Sequence, residues 1–565
     1  HSQLGSTGSS SSRPVQVVTG QQGSASGYLE KVVELDAASE ADSTWGTSIA
    51  VTESKKVYGW GYSNYGALGK DGRFTSPIKV SNINTAVGAA LGGTDSGQFT
   101  YILKEDGTVS SLGYNGYGQL GNGTAANSSA AQDVKNVTDI VQVSGSQNGY
   151  FGAFVKKDGT VWTVGNNGNG QLGDGSSINK SKPVQVGGGS SNAMKLRNGA
   201  VLENDGVTVA KDRNGKDLIY NKKDELLNNL YIEEEQKFRI DSDIQVEKSF
   251  SLLKANAKVN PKDLTYTVFD ERFATVEKDS NGNGIVIPKS GIYGVAIILV
   301  KDSNSGYGSI LRLGIRPKDS VAMPMVSAGS AHVVALKANG TVWTWGYNGN
   351  GELGDGKNRN TNIPVQVLTG AQDSNSGYLE NIIQVAAGSN HNLALDKDGT
   401  VWAWGYGSHG ELGNRTTSNS SLPVKVIGVS DVVSIAAGYY NSFAVRKDGT
   451  VWAWGYNYAG QLGLGDGTNR TTAQQVLGGA SGSQYLTDIV EVKAATWHTL
   501  ALKANGTVYA WGCNSYGQLG DYGTTNSNRP VQVVTGEQGS ASGYLEKVVE
   551  LDATSEADST WGTSI

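Results

Sequence analysis

The sequence has a single cysteine, Cys513, among its 565 residues. A disulfide bond within the chain is therefore excluded, which fits either a cytosol or a bacterial exterior where a closed β-ring needs no covalent cross-link. Long apolar stretches are also missing, because no run of roughly 18 apolar residues occurs, and no transmembrane helix is expected. The chain begins at His1 without an initiator methionine or a signal peptide, so we expect a processed chain or a window from a longer one.

Basic runs and catalytic motifs are absent as well. The formal net charge is −6 and only 17% of the residues are charged, so no electrostatic footprint for DNA or RNA is present and no nucleic-acid partner is expected. There is no Gly-x-Ser-x-Gly elbow, no phosphate-binding loop and no paired His–Glu zinc motif. We therefore expect no enzymatic activity, no cofactor and no metal site.

Glycine is abundant, at 78 residues, and it recurs in one repeated phrase. The phrase is clearest in Lys397–Gly405, where an Asp-Gly turn precedes a strand ending in Trp-Gly, followed by the loop Gly410–Gly413. The Asp398–Gly399 pair predicts a two-residue type I′ hairpin turn, which requires positive φ at both positions. Along the next strand, alternation places Trp402 and Trp404 on one face.

The Gly-x-Leu-Gly loop recurs seven times. It begins at Gly66, Gly118, Gly170, Gly351, Gly410, Gly460 and Gly517. Each unit has four short strands in roughly 50 to 60 residues, and a fixed period of this length is typical of a propeller or array. Four-stranded blades arranged radially protect their edges by closing into a ring.

These motifs resemble the repeat of the regulator-of-chromosome-condensation family, a seven-bladed β-propeller. The resemblance covers about three quarters of the chain and specifies a fold far better than a function. The eukaryotic namesake of the family binds chromatin and exchanges nucleotide on a small GTPase. The resemblance alone does not carry that activity, and the net negative charge argues against chromatin binding.

The expected fold class is all-β, with an insert that interrupts the ring. The segments are 1–27 as the end of a preceding blade, 28–189 as blades 1–3, 190–322 as a connector plus insert, 323–528 as blades 4–7 and 529–565 as the start of a duplicated repeat. Alternating strands in the insert predict a small β-sandwich. The stretches Ala274–Gly284 and Gly291–Ala296 resemble a bacterial immunoglobulin-like domain of the second group, which implies an extracellular setting on a bacterial surface.

The chain repeats its own beginning. Residues 529–565 copy residues 13–49 with two differences, Glu537 for Gln21 and Thr554 for Ala38. A ring offers one slot for this segment, so we expect one copy to complete the ring and the other to join a neighbouring propeller. The predicted assembly joint comprises Arg13, Pro14, Val15, Val17, Val32, Val33, Leu35, Arg529, Pro530, Val531, Val533, Val548, Val549 and Leu551.

Four kinds of candidate site have a simpler structural interpretation. His332, His391 and His498, with Asn441 at the fourth equivalent position, are expected to form hydrogen bonds at the start of each second strand. His409 is expected to be a solvated loop residue, and Asp279–Gly284 a polar hairpin turn, because the bidentate Glu of a calcium loop is missing. The Trp and Tyr stripes are expected to pack between blades rather than stack on sugars.

Sequons for N-glycosylation have little support, because Asn, Ser, Thr and Gly are ordinary loop residues. They lie at Asn122, Asn127, Asn136, Asn414, Asn419 and Asn469.

Two functions remain open. The first is an extracellular structural protein that assembles tandem or strand-exchanged propellers, head to tail with copies of itself, into a fibre or surface layer. The second is a secreted or surface-anchored propeller, an adhesin or inhibitor, that binds a protein or glycan. The duplicated segment favours the first function, because a lone binding module gains nothing from it.

Overall fold

The computed structural model describes residues 46–187 and 320–534 with short gaps and most of residues 260–317. It describes only separate short pieces of residues 17–39, 208–248 and 544–564. Among the described residues, no helix is long and apolar enough to cross a membrane.

The repeats form seven four-stranded sheets, here called blades 1–7 in chain order, each made of four consecutive strands. All neighbouring strands within a blade are antiparallel. Blade 1 contains β1 (Val32–Ser39), β2 (Gly46–Thr52), β3 (Val57–Ser63) and β4 (Gly72–Lys79). Blade 2 contains β5 (Ala86–Thr94), β6 (Gly97–Lys104), β7 (Val109–Gly113) and β8 (Ser128–Asp133). Blade 3 contains β9 (Ile140–Gly145), β10 (Phe151–Lys156), β11 (Val161–Gly165) and β12 (Lys180–Gln185).

Blades 4–7 follow the insert and contain sixteen strands. Blade 4 contains β23 (Met325–Ala328), β24 (His332–Leu336), β25 (Val342–Gly346) and β26 (Thr361–Gln366). Blade 5 contains β27 (Ile382–Ala387), β28 (His391–Asp396), β29 (Val401–Gly405) and β30 (Ser420–Lys425). Blade 6 contains β31 (Val432–Ala437), β32 (Asn441–Arg446), β33 (Val451–Gly455) and β34 (Arg470–Gln475). Blade 7 contains β35 (Ile489–Ala494), β36 (His498–Lys503), β37 (Val508–Gly512) and β38 (Ser527–Gln532). The predicted boundary between 528 and 529 therefore falls inside the last strand of blade 7.

The Asp-Gly hairpin turn differs from the predicted type. In blade 5, Gly399 N–H donates to the Asp396 carbonyl and Asp396 N–H donates to the Thr400 carbonyl, so three residues form the loop. Gly399 has a φ of +81°, whereas Asp398 is not among the residues with positive φ. The turn is a type I turn followed by a left-handed glycine, the geometry of a three-residue hairpin with a bulge, and the type I′ prediction is wrong.

The repeated tryptophan and the repeated Gly-x-Leu-Gly loop contact each other where neighbouring blades meet. The Trp454 indole of blade 6 donates to the carbonyl of Glu411, the variable residue of the blade 5 Gly-x-Leu-Gly loop, at 2.8 Å. A Cβ on Gly413, the last residue of that loop, would lie 3.0 Å from Trp454 Nε1, and its φ is +61°. The same indole-to-carbonyl bond is made by Trp345, Trp404 and Trp511.

Blades 2 and 3 lack this tryptophan and use other donors. The Thr100 hydroxyl of blade 2 donates to the Ala67 carbonyl of blade 1 at 2.7 Å. The Tyr101 hydroxyl donates to the Gln119 carbonyl, the acceptor that a blade 3 tryptophan would otherwise use, at 2.6 Å. Both loop carbonyls are therefore satisfied by neighbouring hydroxyls, as buried backbone groups generally are.

The described strands of the insert form two sheets of their own, and none of them pairs with a strand of a blade. The first contains β13 (Thr208–Val209), β14 (Ile219–Tyr220), β16 (Gln236–Ile240), β19 (Ala274–Lys278) and β20 (Gly284–Pro288). The second contains β15 (Leu230–Glu233), β17 (Glu247–Lys248), β18 (Leu264–Val268), β21 (Gly294–Asp302) and β22 (Tyr307–Arg316).

The two sheets of the insert share one hydrophobic core. It includes Ile240 and Val286 from the first sheet and Ile298 and Leu313 from the second. Blade 3 meanwhile packs directly on blade 4 through a cluster that includes Leu172 and Trp345. The prediction of seven blades with the insert outside the ring agrees with this arrangement.

Both copies of the duplicated segment lie in the same ring. The second copy forms a hairpin of β39 (Ala553–Ser555) and β40 (Gly562–Ser564), and β39 contacts β35 and β36 of blade 7 as well as β1 of blade 1. Both hairpins have the same register, with Ala37 opposite Ser48 in one and Ala553 opposite Ser564 in the other. The second copy is therefore a half-blade between blades 7 and 1.

The predicted joint residues have unequal surroundings in the two copies. Leu551 is 4% exposed in a cluster with Leu500, Leu502 and Val533, whereas the equivalent Leu35 is 39% exposed. Arg529, Pro530 and Val531 lie in β38, and Val548 packs on the Leu551 cluster. In the first copy, the Val17 carbonyl accepts a backbone hydrogen bond from Leu29 N–H, and Val32 pairs with Thr52. The remaining joint positions lie outside the described residues: Arg13, Pro14, Val15, Val549 and the side chain of Val33. That one copy joins a different propeller stays a prediction.

Candidate ligand-binding face

Three repeat positions meet at one end of each blade. They are the residue after Trp-Gly, the residue before the second strand, and the residue before the Gly-x-Leu-Gly loop. In blade 6, Tyr456 N–H donates to the Tyr440 carbonyl, because Gly455 and Asn441 are paired at the ends of β33 and β32. Side chains at these positions therefore share one face of the propeller.

Aromatic side chains concentrate at these positions in blades 5–7. We call this cluster the Tyr456 patch; it comprises Tyr406, His409, Tyr439, Tyr440, Tyr456 and Trp497. The Tyr456 ring lies 4.9 Å from the His409 ring, 6.2 Å from the Tyr440 ring and 5.7 Å from the Trp497 ring, measured between centroids. All of these rings are half-buried, so the patch is anchored in the blade ends yet reaches the surface.

His409 is part of this patch rather than a solvated loop residue, so that prediction is wrong. Its Nδ1 lies 2.9 Å from Glu411 Oε1, and its backbone N–H donates to Glu411 Oε2 at 2.8 Å. The hydrogen bond to the fully buried Glu411 side chain raises the pKa of the His409 imidazole, against the opposing effect of partial burial. A side chain that sequence placed in solvent is therefore held by a buried carboxylate among three tyrosines.

A second aromatic cluster lies at the same repeat positions of blades 1–3. It comprises Tyr65, Tyr114, Tyr117 and Tyr150. Here Tyr117 and Tyr150 are stacked, with centroids 4.9 Å apart and planes inclined by 15°, and the Tyr150 hydroxyl bonds the Thr94 hydroxyl. We call it the Tyr117 patch.

The histidine series behaves as the sequence indicates. His332, His391 and His498 each begin the second strand of a blade and are at most 1% exposed. His332 Nε2 lies 3.0 Å from Asn392 Oδ1, and His391 Nε2 lies 3.0 Å from Ser442 Oγ in the next blade. Burial lowers the pKa of His332 and His498 to about 4 and that of His391 to about 3, so these imidazoles are neutral.

The tryptophan part of the aromatic-stripe prediction and the hairpin prediction are also confirmed, whereas the tyrosines of the two patches do not pack between blades as predicted. Trp345, Trp404, Trp454 and Trp511 are completely buried between blades, as expected for packing residues. Asp279 closes a polar hairpin turn between β19 and β20, accepting from Asn281 and Asn283 backbone N–H groups at 2.8 and 2.9 Å. Within the described parts of the chain, no group of three or more His, Cys, Asp or Glu side chains could hold a metal ion.

Three of the sequon asparagines are structural. Asn127, Asn419 and Asn469 accept hydrogen bonds from the backbone N–H groups of Asn115, Gly407 and Asn457, respectively. These bonds close the long loop between the third and fourth strands.

Sequence reasoning missed the two tyrosine patches. The available signal is tyrosine directly after the third strand, at Tyr114, Tyr347, Tyr406 and Tyr456. These tyrosines are hard to assign from the sequence because they lie beyond the end of the third strand, where alternation no longer assigns a face. The inter-blade tryptophans two residues earlier are also the more prominent pattern.

Two sequence profiles match the chain. Residues 312–558 match the RCC1-like domain, and residues 158–197 match the regulator of chromosome condensation (RCC1) repeat. Human HERC2, an E3 ubiquitin-protein ligase, is 34% identical over 247 residues, which are 42% of this chain and 5% of HERC2. The ultraviolet-B receptor UVR8 of Arabidopsis thaliana is 29% identical over 243 residues, which are 40% of this chain and 52% of UVR8.

The similarity to solved structures is lower. Human WBSCR16 is 18% identical with a TM-score of 0.48, covering 89% of this chain and 96% of that one. Yeast RCC1 (Prp20), solved with Kap60, is 15% identical with a TM-score of 0.46, covering 85% and 83%. The match to HERC2 spans a small part of the ligase and the match to UVR8 about half of the receptor. The sequence matches show RCC1-like repeats in residues 158–197 and 312–558, and blades 1 and 2 have the same four-stranded form.

Proposed function

We propose that the protein is a non-enzymatic binding propeller of the bacterial cell exterior that presents the Tyr456 patch to a protein or glycan partner. The observation that carries the proposal is the patch itself. Half-buried aromatic rings on a rigid scaffold supply large contact area at a low entropy cost, and such residues dominate binding energy where they are anchored. RCC1-like repeats hold these rings at fixed repeat positions on a single face.

The insert supports the extracellular part of the proposal. We interpret its two sheets over a common core as the bacterial immunoglobulin-like domain that the sequence resembles. Such domains are building blocks of bacterial surface proteins. Its described strands pair only with one another, which leaves the four-stranded blades intact and gives the propeller a second module.

Assembly into a fibre or surface layer is the second candidate function. Its support is the duplicated segment, since the two copies carry nearly the same side chains and Leu35 of the first copy stays partly exposed. Against it, the hairpin of the second copy packs between blades 7 and 1 of its own chain. Electron microscopy of the native material distinguishes the two: dispersed discs support a binding module, and fibres or sheets support assembly.

The test of the binding proposal uses the whole chain. The purified protein is presented to arrayed glycans and to arrayed extracellular proteins, and each saturable interaction is measured again with Tyr406→Ala and Tyr456→Ala. We expect at least one partner whose binding falls about tenfold or more in both variants. If every partner binds these variants as well as wild type, or no partner binds saturably, the Tyr456 patch is not the functional site.

A further inference from the structure

The two aromatic patches differ in how their rings meet. In the Tyr456 patch, Tyr439 and Tyr440 meet at 79°, Tyr440 and Tyr456 at 70°, and Tyr456 and Trp497 at 74°. Edge-to-face contacts use the edge of one ring, so neighbouring rings in this patch do not cover each other as parallel rings do. In the Tyr117 patch, Tyr117 and Tyr150 instead lie nearly parallel and cover each other's faces.

A half-buried aromatic ring that reaches the surface suits two classes of small ligand group. One is a cation, which the ring quadrupole attracts. The other is a pyranose ring, whose axial C–H bonds form an apolar surface that packs flat on an aromatic ring. The polar groups beside the rings decide between these classes.

The polar groups of the Tyr456 patch disfavour a cation. The Glu411 carboxylate is fully buried and already bonded to His409, so it offers no exposed negative charge. The His409 imidazole, the other polar group among the rings, supplies no negative charge either. A hydroxyl-rich or acidic ligand needs no such charge.

His409 also has a ring nitrogen available for a ligand. Its Nδ1 is bonded to Glu411, whereas its Nε2, on the opposite side of the ring, makes no hydrogen bond to any described residue. The His409 side chain is 31% exposed, so a ligand on the patch can reach it. Aromatic rings for packing and one orienting polar group are what a small-ligand site needs.

We propose that the Tyr456 patch is a glycan subsite in which a pyranose ring packs on the Tyr456 or Tyr406 ring and His409 Nε2 bonds a sugar hydroxyl or carboxylate. The subsite rests on the proposed function, since it names the chemical class of partner for the same face. The Tyr117 patch contains no equivalent of His409 and is the comparison site on the same propeller face.

Blade 4 supplies a matched substitution for His409. Asn350 occupies the same repeat position there, and its Nδ2 donates to Glu352 Oε1 at 2.8 Å as His409 Nδ1 does to Glu411. His409→Asn therefore keeps a partner for the buried carboxylate while removing the imidazole Nε2. Tyr117→Ala is the control for loss of a tyrosine on the same propeller face.

The experiment probes the whole chain with an array of neutral and uronic-acid- or sialic-acid-bearing oligosaccharides, followed by calorimetric titration of each bound member. We expect Tyr456→Ala to weaken binding about tenfold and His409→Asn about fivefold, the sizes expected for one stacking contact and one hydrogen bond. Tyr117→Ala should leave the affinity unchanged.

Three results would overturn the subsite. One is that no array member binds, another that Tyr117→Ala weakens binding as much as Tyr456→Ala, and the third that His409→Asn and Tyr456→Ala bind as wild type. If the array is silent but a protein or a proline-rich peptide binds and is lost in Tyr456→Ala, the glycan subsite fails while the binding propeller stands.

Discussion

The pKa values of the histidine side chains shift in opposite directions because their surroundings differ. His391 is buried and its pKa is lowered to about 3, chiefly by burial, whereas His409 is held by Glu411 and its pKa is raised. An unfolded histidine titrates near 6.5, so a buried one takes up its proton on unfolding whenever the pH lies between these values. Stability from the neutral His391 is thus complete above pH ~6.5 and declines as the pH falls toward the folded value.

We therefore predict that His391→Asn makes the propeller less sensitive to acid. Blade 6 uses Asn441 at the same position, so the substitution is one that the repeat already accommodates. Between about pH 7 and about pH 5 the variant should lose about 2 kcal/mol less unfolding free energy than wild type. Urea unfolding followed by circular dichroism at both pH values measures this difference, and equal pH dependence in the two proteins would contradict it.

Sequence patterns predicted the buried histidines but not His409. A position repeated on several blades is spread around a ring, which identifies His332, His391 and His498 as structural residues. Histidine occurs only once at the position of His409. Its partner Glu411 occupies a loop position that is Ala, Gln or Glu in the seven repeats. Only the fold shows that this variable side chain is buried.

At the scale of the element, the repeated loop and the repeated tryptophan act together. Trp345 is informative because its indole donates to the Gln171 carbonyl at 2.8 Å across the junction that the insert interrupts. Trp343, two residues earlier, donates to the Thr341 hydroxyl within its own turn at 3.2 Å. The first bond joins two blades and the second stays within one.

We predict that Trp345→Phe destabilises the propeller by about 2–4 kcal/mol, because it leaves a buried carbonyl without its indole donor and opens a small cavity. Trp343→Phe, the control, should cost less than about 1 kcal/mol, since its ring is partly exposed and its bond is local. Denaturant midpoints monitored by far-ultraviolet circular dichroism compare them. An equal loss of unfolding free energy in both variants would show that the inter-blade hydrogen bond does not stabilise the propeller more than the local one.

The Asp-Gly turn shows where pattern reasoning stops. A two-residue type I′ turn and a three-residue turn with a bulge both place Gly at the last loop position, because both need positive φ there. The sequence does not reveal whether Lys397 belongs to the strand or to the loop. The backbone bond from Asp396 N–H to Thr400 settles it, and the strand register on either side is unaffected.

At the scale of the whole molecule, the insert should be dispensable for the ring. Blades 3 and 4 already meet directly through Leu172, Val333 and Trp345, so we expect this junction to persist without residues 188–319. Loop closure also depends weakly on loop length, by roughly 0.6 kcal/mol per doubling.

We predict that replacing residues 188–319 with a short Gly-Ser bridge leaves a soluble propeller with a cooperative thermal transition. Calorimetry of the bridged and complete chains tests this. An insoluble product, or a broad transition from the bridged chain, would show that the insert is part of the propeller core.

The last prediction concerns the two copies of the duplicated segment, which carry the same leucine in different surroundings. Leu551 packs on Leu500 and Leu502 of blade 7, held by the bond from Val548 N–H to the Gly506 carbonyl, whereas Leu35 is 39% exposed. A charge at the buried position should expel the second copy, since an unpaired buried carboxylate is costly, while the same charge at the exposed position should have little effect.

Leu551→Asp is thus expected to make residues 544–565 sensitive to protease while blades 1–7 stay folded, and Leu35→Asp to resemble wild type. Light scattering provides the decisive comparison, because both copies in one ring imply a wild-type mass of one chain at every concentration. If wild type instead forms larger species with rising concentration and Leu35→Asp abolishes them, the first copy docks on blade 7 of another molecule. Propellers would then assemble head to tail by a contact that does not close on itself, as the sequence initially suggested.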